Sequence, residues 1–305
     1  MSVLIKASDY FTCSAEKIGT NYGVHAFIIG VTIVAFGTSL PELISSIVAV
    51  LKDSSEIVVG NVAGSNIANI LLILGLAAVA DKKMEIGYEL MSVDVPFLVG
   101  TSFVLVTTCW DGVFGPFEGV LCLALIVIYL LYAMNTEREH EEDDKEQKTN
   151  PRLNRRGVGW KTWTILLVSA FLIYLGANYT IEAVIRLSEL LNMGKEIVAI
   201  SVVALGTSLP ELVVSFVAAR KGKPGMAVGN VLGSNIFNAT AVMGIPALVG
   251  SLSVPQSMRA SGFPMMLIAM LLFVFITQDR RITKWEGWLL LSIYVLFVGK
   301  VFNLL

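Results

Sequence analysis

Two glutamates, Glu42 and Glu211, sit in runs of residues that are otherwise apolar enough to span a bilayer. Each lies in the same heptapeptide: Gly37-Thr38-Ser39-Leu40-Pro41-Glu42-Leu43 is repeated as Gly206-Thr207-Ser208-Leu209-Pro210-Glu211-Leu212, 169 residues later. At the same offset, Gly60-Asn61-Val62-Ala63-Gly64-Ser65-Asn66-Ile67-Ala68-Asn69 is echoed by Gly229-Asn230-Val231-Leu232-Gly233-Ser234-Asn235-Ile236-Phe237-Asn238. Carboxylates, hydroxyls and amides at membrane depth are costly, so they mark a candidate site. With no obvious basic partner nearby, two such carboxylates need a cation or a proton. Hydroxyl, amide and carbonyl oxygens around them, without histidine or cysteine, suit a hard ion such as Ca²⁺, which takes about 6–8 oxygen ligands. Na⁺ is similar in size and also takes oxygens, so one cage could hold either ion in turn.

The spacing says how helices would present these groups. Residues three and four apart share a helix face, so Ala35, Thr38, Ser39, Glu42 and Ser46 line one side of one helix, and Ala204, Thr207, Ser208, Glu211 and Ser215 line one side of another. Pro41 and Pro210 have no N–H to donate one turn back, to Gly37 and Gly206. A break is therefore expected at both motifs, with backbone carbonyls released toward protein or a polar cavity. Asn61, Ser65 and Asn69 recur at intervals of four, with Asn66 beside them, and Asn230, Ser234, Asn235 and Asn238 repeat the pattern. For the outer pair, Asn61 and Asn230, helix packing through amide hydrogen bonds is as good a reading as ligation.

The whole chain fits that setting. Of its 305 residues 55% are hydrophobic and 15% charged, with mean hydropathy +0.74; soluble domains carry about 25% charged residues. The expected fold is an all-α membrane protein. Spans are expected at about 24–51, 56–80, 89–109, 116–135, 160–190, 195–220, 225–250, 259–277 and 284–303, with a weak first span near 3–18 that carries Lys6, Asp9 and Glu16. That makes ten transmembrane helices: residues 1–135 form a first five-helix repeat, 136–159 a polar linker, and 160–305 a second five-helix repeat. Helix 1 looks truncated, because its counterpart around 178–190 is preceded by the apolar run 160–175 and it is not. Lys82, Lys83, Arg152, Arg155, Arg156, Arg220, Lys221, Arg280 and Arg281 fall in loops on one side, which is thereby cytoplasmic, with both termini outside. Five helices per repeat then give the two copies opposite orientation, which puts the two motifs face to face near the midplane.

The remaining features bear less on function. A net charge of −2 offers nucleic acid no footing as a partner, and the N-terminus has no cleavable signal pattern. Cys13, Cys109 and Cys122 lack metal-binding spacing and read as small hydrophobes. Asp94 and Glu118 lie near span ends and read as interfacial. No nucleophile–base pair accompanies the glutamates, and His25 and His140 lie outside the motifs, so the chain is not read as an enzyme.

The doubled motifs resemble the α-repeats of the calcium/cation antiporter superfamily, and most closely those of prokaryotic sodium/calcium exchangers. The resemblance covers nearly all of the chain except the short helix 1 and the linker. It implies a monomeric ten-helix exchanger of Na⁺ and Ca²⁺ in a prokaryotic inner membrane, needing no cofactor. It also implies four central cation sites, with helices 1 and 6 sliding across the core. Carried over by position, the implied ligands are Ala35 carbonyl, Thr38, Ser39, Glu42, Ser65 and Asn69, and Ala204 carbonyl, Thr207, Ser208, Glu211, Ser234 and Asn238. The potassium-dependent branch has Asp at the place of Asn238, so the amides at Asn69 and Asn238 imply K⁺-independent exchange. The linker has no room for the calcium-sensing domains of animal exchangers. Ca²⁺/H⁺ antiport is the rival reading, since both glutamates could carry protons. It is disfavoured because the proton-coupled branch places Glu where this chain has Gly64 and Gly233. A passive cation channel is a more distant alternative.

Overall fold

The computed structural model describes residues 35–80, 84–85, 94–145, 159–222 and 224–302, with Lys6, Ala7, Tyr10, Phe11, Cys13, Ser14, Lys17, Ile18 and Asn21. The expectations of a shortened helix 1 and of a span starting near residue 24 fall largely outside these residues. The first element is a single turn, α1 (Ala35–Thr38), followed by α2 (Leu40–Leu51). Next come α3 (Glu56–Ala80), strand β1 (Met84–Glu85), α4 (Val95–Thr108), β2 (Val113–Phe114) and α5 (Pro116–Lys145). The second half runs α6 (Trp160–Leu191), α7 (Lys195–Thr207), α8 (Leu209–Arg220), α9 (Pro224–Val249), β3 (Leu252–Ser253), α10 (Met258–Thr277), β4 (Arg281–Ile282) and α11 (Lys284–Val301). Four of these helices are long and apolar enough to cross a membrane, and a fifth span results if α7 and α8 count as one. Helix α5 continues beyond its apolar part through the acidic residues as far as Lys145, where Glu and Lys favour helix.

Both proline motifs break their helices. Between α1 and α2 the break falls at Ser39 (φ −85°, ψ 7°), and between α7 and α8 at Ser208 (φ −81°, ψ 8°), where the axis bends by 46°. The two breaks share one backbone conformation because the same proline, two residues on, withholds the same N–H. Past each break the helix resumes, with Leu43 N–H donating to Ser39 O and Leu212 N–H to Ser208 O. Helices α3 and α9 widen into a π-turn at equivalent places, Asn69–Leu74 and Asn238–Val242. Each π-turn opens on an asparagine expected as a ligand. Such insertions commonly accompany functional sites.

The halves interlock with two-fold reciprocity. Strand β1 pairs with β4 and β2 with β3, both antiparallel, so the loops of one half are clipped to those of the other. A Cβ on Gly75 of α3 would meet Gly287 O of α11 at 3.1 Å, and one on Gly244 of α9 would meet Gly119 O of α5 at 2.9 Å. Gly60 and Gly64 bring α3 onto α7 so closely that a Cβ at either would collide with the carbonyl of Glu196 or of Ile200. With little hydrophobic force to join helices in lipid, such close backbone contact is a main source of cohesion. Helix α6 packs against α2 and leaves Leu167, Phe171, Tyr179 and Leu190 exposed along its outer side. The polarity is inverted relative to a soluble protein: Ser, Thr, Asn and Glu are enclosed, while Phe117, Phe275 and Trp285 face outward.

Both acids expected near span ends lie at helix starts. Asp94, at the start of α4, is buried and accepts a 2.7 Å hydrogen bond from Tyr129 Oη of α5. An acid in an apolar run is tolerated there because a hydroxyl from the next helix meets it. Glu118 does lie at a helix start, where its Oε2 accepts from Gly115 N–H at 3.0 Å.

Two outcomes follow, both measurable by thermal unfolding in detergent. Gly64→Ala should destabilise the protein by about 3 kcal/mol, the upper range for overpacking, whereas Gly100→Ala, with open space around it, should be neutral or stabilising. Tyr129→Phe should cost about 1–3 kcal/mol by removing the donor to buried Asp94.

Candidate functional site

The helix breaks bring the two glutamates to one place. Ser39 Oγ donates to Glu211 Oε1 at 3.1 Å, and Ser208 Oγ donates to Glu42 Oε1 at 3.2 Å. Each carboxylate is thus held by the hydroxyl at the opposite half's break, which is only possible where the two breaks face each other. Both glutamates have no solvent exposure. Among the described residues, no Lys or Arg pairs with either.

A second set of atoms carries the chemistry. Glu42 Oε2, Ser65 Oγ, Asn69 Oδ1, Glu211 Oε2, Ser234 Oγ and Asn238 Oδ1 are buried and lack hydrogen-bond partners among the described residues. They form three pairs related by the 169-residue offset; Ser45 Oγ, Ser46 Oγ and Asn230 Oδ1 also lack partners among the described residues but belong to no such pair. Enclosing an oxygen without a partner costs free energy unless a ligand supplies one. Six such oxygens on four helices, two of them from carboxylates, are suited to coordinate a hard cation. Among the described residues no group of three or more His, Cys, Asp or Glu is placed to hold a metal ion.

The other expected residues are at hand. Thr38 and Thr207 are buried at the breaks. Thr207 Oγ1 donates to Asn61 Oδ1 at 3.2 Å and to Val203 O at 3.1 Å. The carbonyl of Ala204 accepts from Ser208 N–H at 3.0 Å and from Thr207 Oγ1 at 3.4 Å, leaving any further ligand to share its lone pairs. Ala35 begins α1 at the equivalent position. Asn61 and Asn230 differ in their partners: Asn230 Nδ2 donates to Ser215 Oγ at 2.9 Å and to Glu211 O at 3.4 Å, while Asn61 accepts from Thr207. The two-fold relation is broken at this outer layer and kept at the carboxylates.

Four inner asparagines form a network that sequence spacing did not distinguish. Asn66 Nδ2 donates to Asn235 O, and Asn235 Nδ2 to Asn66 O, both at 3.3 Å. Asn69 Nδ2 donates to Asn235 Oδ1 at 2.8 Å, and Asn238 Nδ2 to Asn66 Oδ1 at 3.2 Å. Asn66 and Asn235 stand next to Ser65 and Ser234 in sequence, and their absence from the i, i+4 pattern was the only available signal that they do something different.

The site has recognisable relatives. A sodium/calcium exchanger protein family model matches residues 1–135 and 161–302. The chain is 37% identical to the sodium/calcium exchanger MaX1 of Methanosarcina acetivorans over 98% of its own length and 95% of that protein's. It is 30% identical to the inner membrane protein YrbG of Escherichia coli, over 91% of this chain and 86% of that one. Structures of the sodium-calcium exchanger NCX_Mj superpose with a TM-score of 0.69 at 29% identity, covering 97% of this chain and 94% of that one, in crystals soaked with 100 mM Na⁺ and 10 mM Sr²⁺. The doubled motif, the facing breaks and these matches together identify a multi-pass membrane protein that belongs to the sodium/calcium exchanger family of cation antiporters.

Proposed function

We propose that this chain exchanges Na⁺ for Ca²⁺ across a prokaryotic cell membrane, by alternating access through a site shared between two inverted five-helix repeats. The observation that carries the reading is the three repeat-related pairs of enclosed oxygens, Glu42 with Glu211, Ser65 with Ser234 and Asn69 with Asn238, which lack partners among the described residues, where no basic residue pairs with either carboxylate. Two Glu charges balance one Ca²⁺. The same oxygens, with Thr38, Ser39, Thr207, Ser208 and the carbonyls of Ala35 and Ala204, are numerous enough to serve Na⁺ at neighbouring positions once Ca²⁺ has left. Competition between the ions for Glu42 and Glu211 would couple their movements, because the carboxylates are costly to leave buried and bare.

Several finer features belong to this proposal. The repeats lie in opposite orientation in the bilayer, with ten helices in all, both termini outside and residues 136–159 as the cytoplasmic linker. The protein works as a monomer. Amides rather than carboxylates at Asn69 and Asn238 supply no extra charge for K⁺, which supports K⁺-independent exchange. With about three Na⁺ per Ca²⁺, one net charge crosses per cycle, worth about 2.3 kcal/mol per 100 mV, so an inside-negative potential favours Ca²⁺ export.

⁴⁵Ca²⁺ uptake into Na⁺-loaded proteoliposomes tests the reaction. Uptake should require an outward Na⁺ gradient and be indifferent to K⁺, and should fall at least about a hundredfold, the scale of losing a buried charge, in both Glu42→Gln and Glu211→Gln. Uptake driven by a proton gradient alone would replace the reading with Ca²⁺/H⁺ antiport, and non-saturating flux without a counter-ion would make the protein a channel. Clamping the vesicle potential tests charge movement: the equilibrium Ca²⁺ accumulation ratio should change about fiftyfold per 100 mV, and a ratio insensitive to voltage would mean electroneutral exchange.

A further inference from the structure

We infer that Asn66 and Asn235 are positioning residues that fix which end of the Asn238 and Asn69 amides meets the cation. The inference rests on the proposed cation site and adds to it two residues that touch no ion.

The argument follows from donors and acceptors alone. An asparagine amide has an oxygen end and an N–H₂ end of nearly equal size, so shape does not decide which faces a site. A backbone carbonyl can only accept. Asn66 lies against the carbonyl of Asn235 and Asn235 against the carbonyl of Asn66, so each must turn its Nδ2 that way. That leaves Asn66 Oδ1 facing Asn238 and Asn235 Oδ1 facing Asn69. Those oxygens can be satisfied only by an N–H₂ group. Asn238 and Asn69 therefore turn their nitrogens toward the network and their Oδ1 atoms away from it, and these two Oδ1 atoms are among the enclosed oxygens without partners. Two reversed amides would point N–H₂ groups at the cation and repel it. The orientation is set without any ion present, because all four residues are buried and the ring of bonds closes across the two halves.

The network also explains why both repeats are needed. Each ligand amide is oriented by an asparagine of the other half: Asn238 by Asn66 and Asn69 by Asn235. Outer partners that aim a metal ligand commonly matter about 10–100-fold for affinity.

The experiment is a set of Ca²⁺ affinities measured by calorimetry on purified protein, with exchange in proteoliposomes alongside. Asn66→Leu should weaken Ca²⁺ binding about tenfold or more. In the Asn238→Asp background, where both ends of the side chain are oxygens and orientation no longer matters, Asn66→Leu should lose most of that effect. Asn69→Asp should not rescue it, because Asn69 is aimed by Asn235. Where Asn66→Leu fails to yield folded protein, Asn66→Ala takes its place in the same series. Normal affinity in Asn66→Leu, an equal loss in both backgrounds, or equal rescue by Asn238→Asp and Asn69→Asp would each overturn the inference. Wild-type protein that neither binds Ca²⁺ nor exchanges it would instead overturn the underlying site, so the two failures are distinguishable.

Discussion

Two carboxylates enclosed at the meeting point of two halves, each held by a serine hydroxyl from the opposite half, set the terms for the rest of this molecule. A bare carboxylate in a medium of low dielectric is unstable by an amount that dwarfs the net stability of a domain. The protein must therefore hold the pair where an ion can reach and leave them, and must keep other polar groups close enough to share the burden. The broken helices serve this need. Each break brings a hydroxyl and a carboxylate together, at a position where a continuous helix would hold them differently.

The closest helix crossings around the breaks are made by small residues. Gly60 and Gly64 let α3 lie against the backbone of α7, and reciprocal glycine pairs join α3 to α11 and α9 to α5. Close approach of this kind brings Ser65, Asn66 and Asn69 within reach of their counterparts in α9. The amide ring across the halves then does two things with one set of bonds: it satisfies donors that lipid could not, and it leaves two oxygens over. Cohesion and amide orientation share the same hydrogen bonds. At Asn61 and Asn230 the two halves differ in their partners.

The two-fold relation gives the site its charge economy. Neither half alone could bind a divalent cation with a matching charge, since each contributes one carboxylate. Nor could either half orient its own amide ligand. A duplicated chain that folds face to face meets both requirements, and the short strand pairs β1–β4 and β2–β3 hold the loops in the same reciprocal arrangement.

Much of this was legible from residue order. Repetition at a constant offset, apolar runs of spanning length and prolines next to glutamates pointed to a helical membrane protein and to both breaks, because these depend on local composition and on which backbone donors are missing. The residues Glu42, Ser65, Asn69, Glu211, Ser234 and Asn238 all stood out in the repeated motifs, and each has an oxygen that lacks a partner among the described residues. What spacing could not reach were relations between helices. The bond from Tyr129 to buried Asp94 was not visible, because the two come from different helices. The π-turns at Asn69 and Asn238 have no sequence signature of their own, since they arise where packing makes an extra residue fit. The roles of Asn66 and Asn235 depend on carbonyls that lie 169 positions away along the chain. Residue types determined which atoms could bind a cation; only the tertiary structure decided which of them would be left free to do so, because a hydrogen bond to a distant partner is invisible until the helices are brought together.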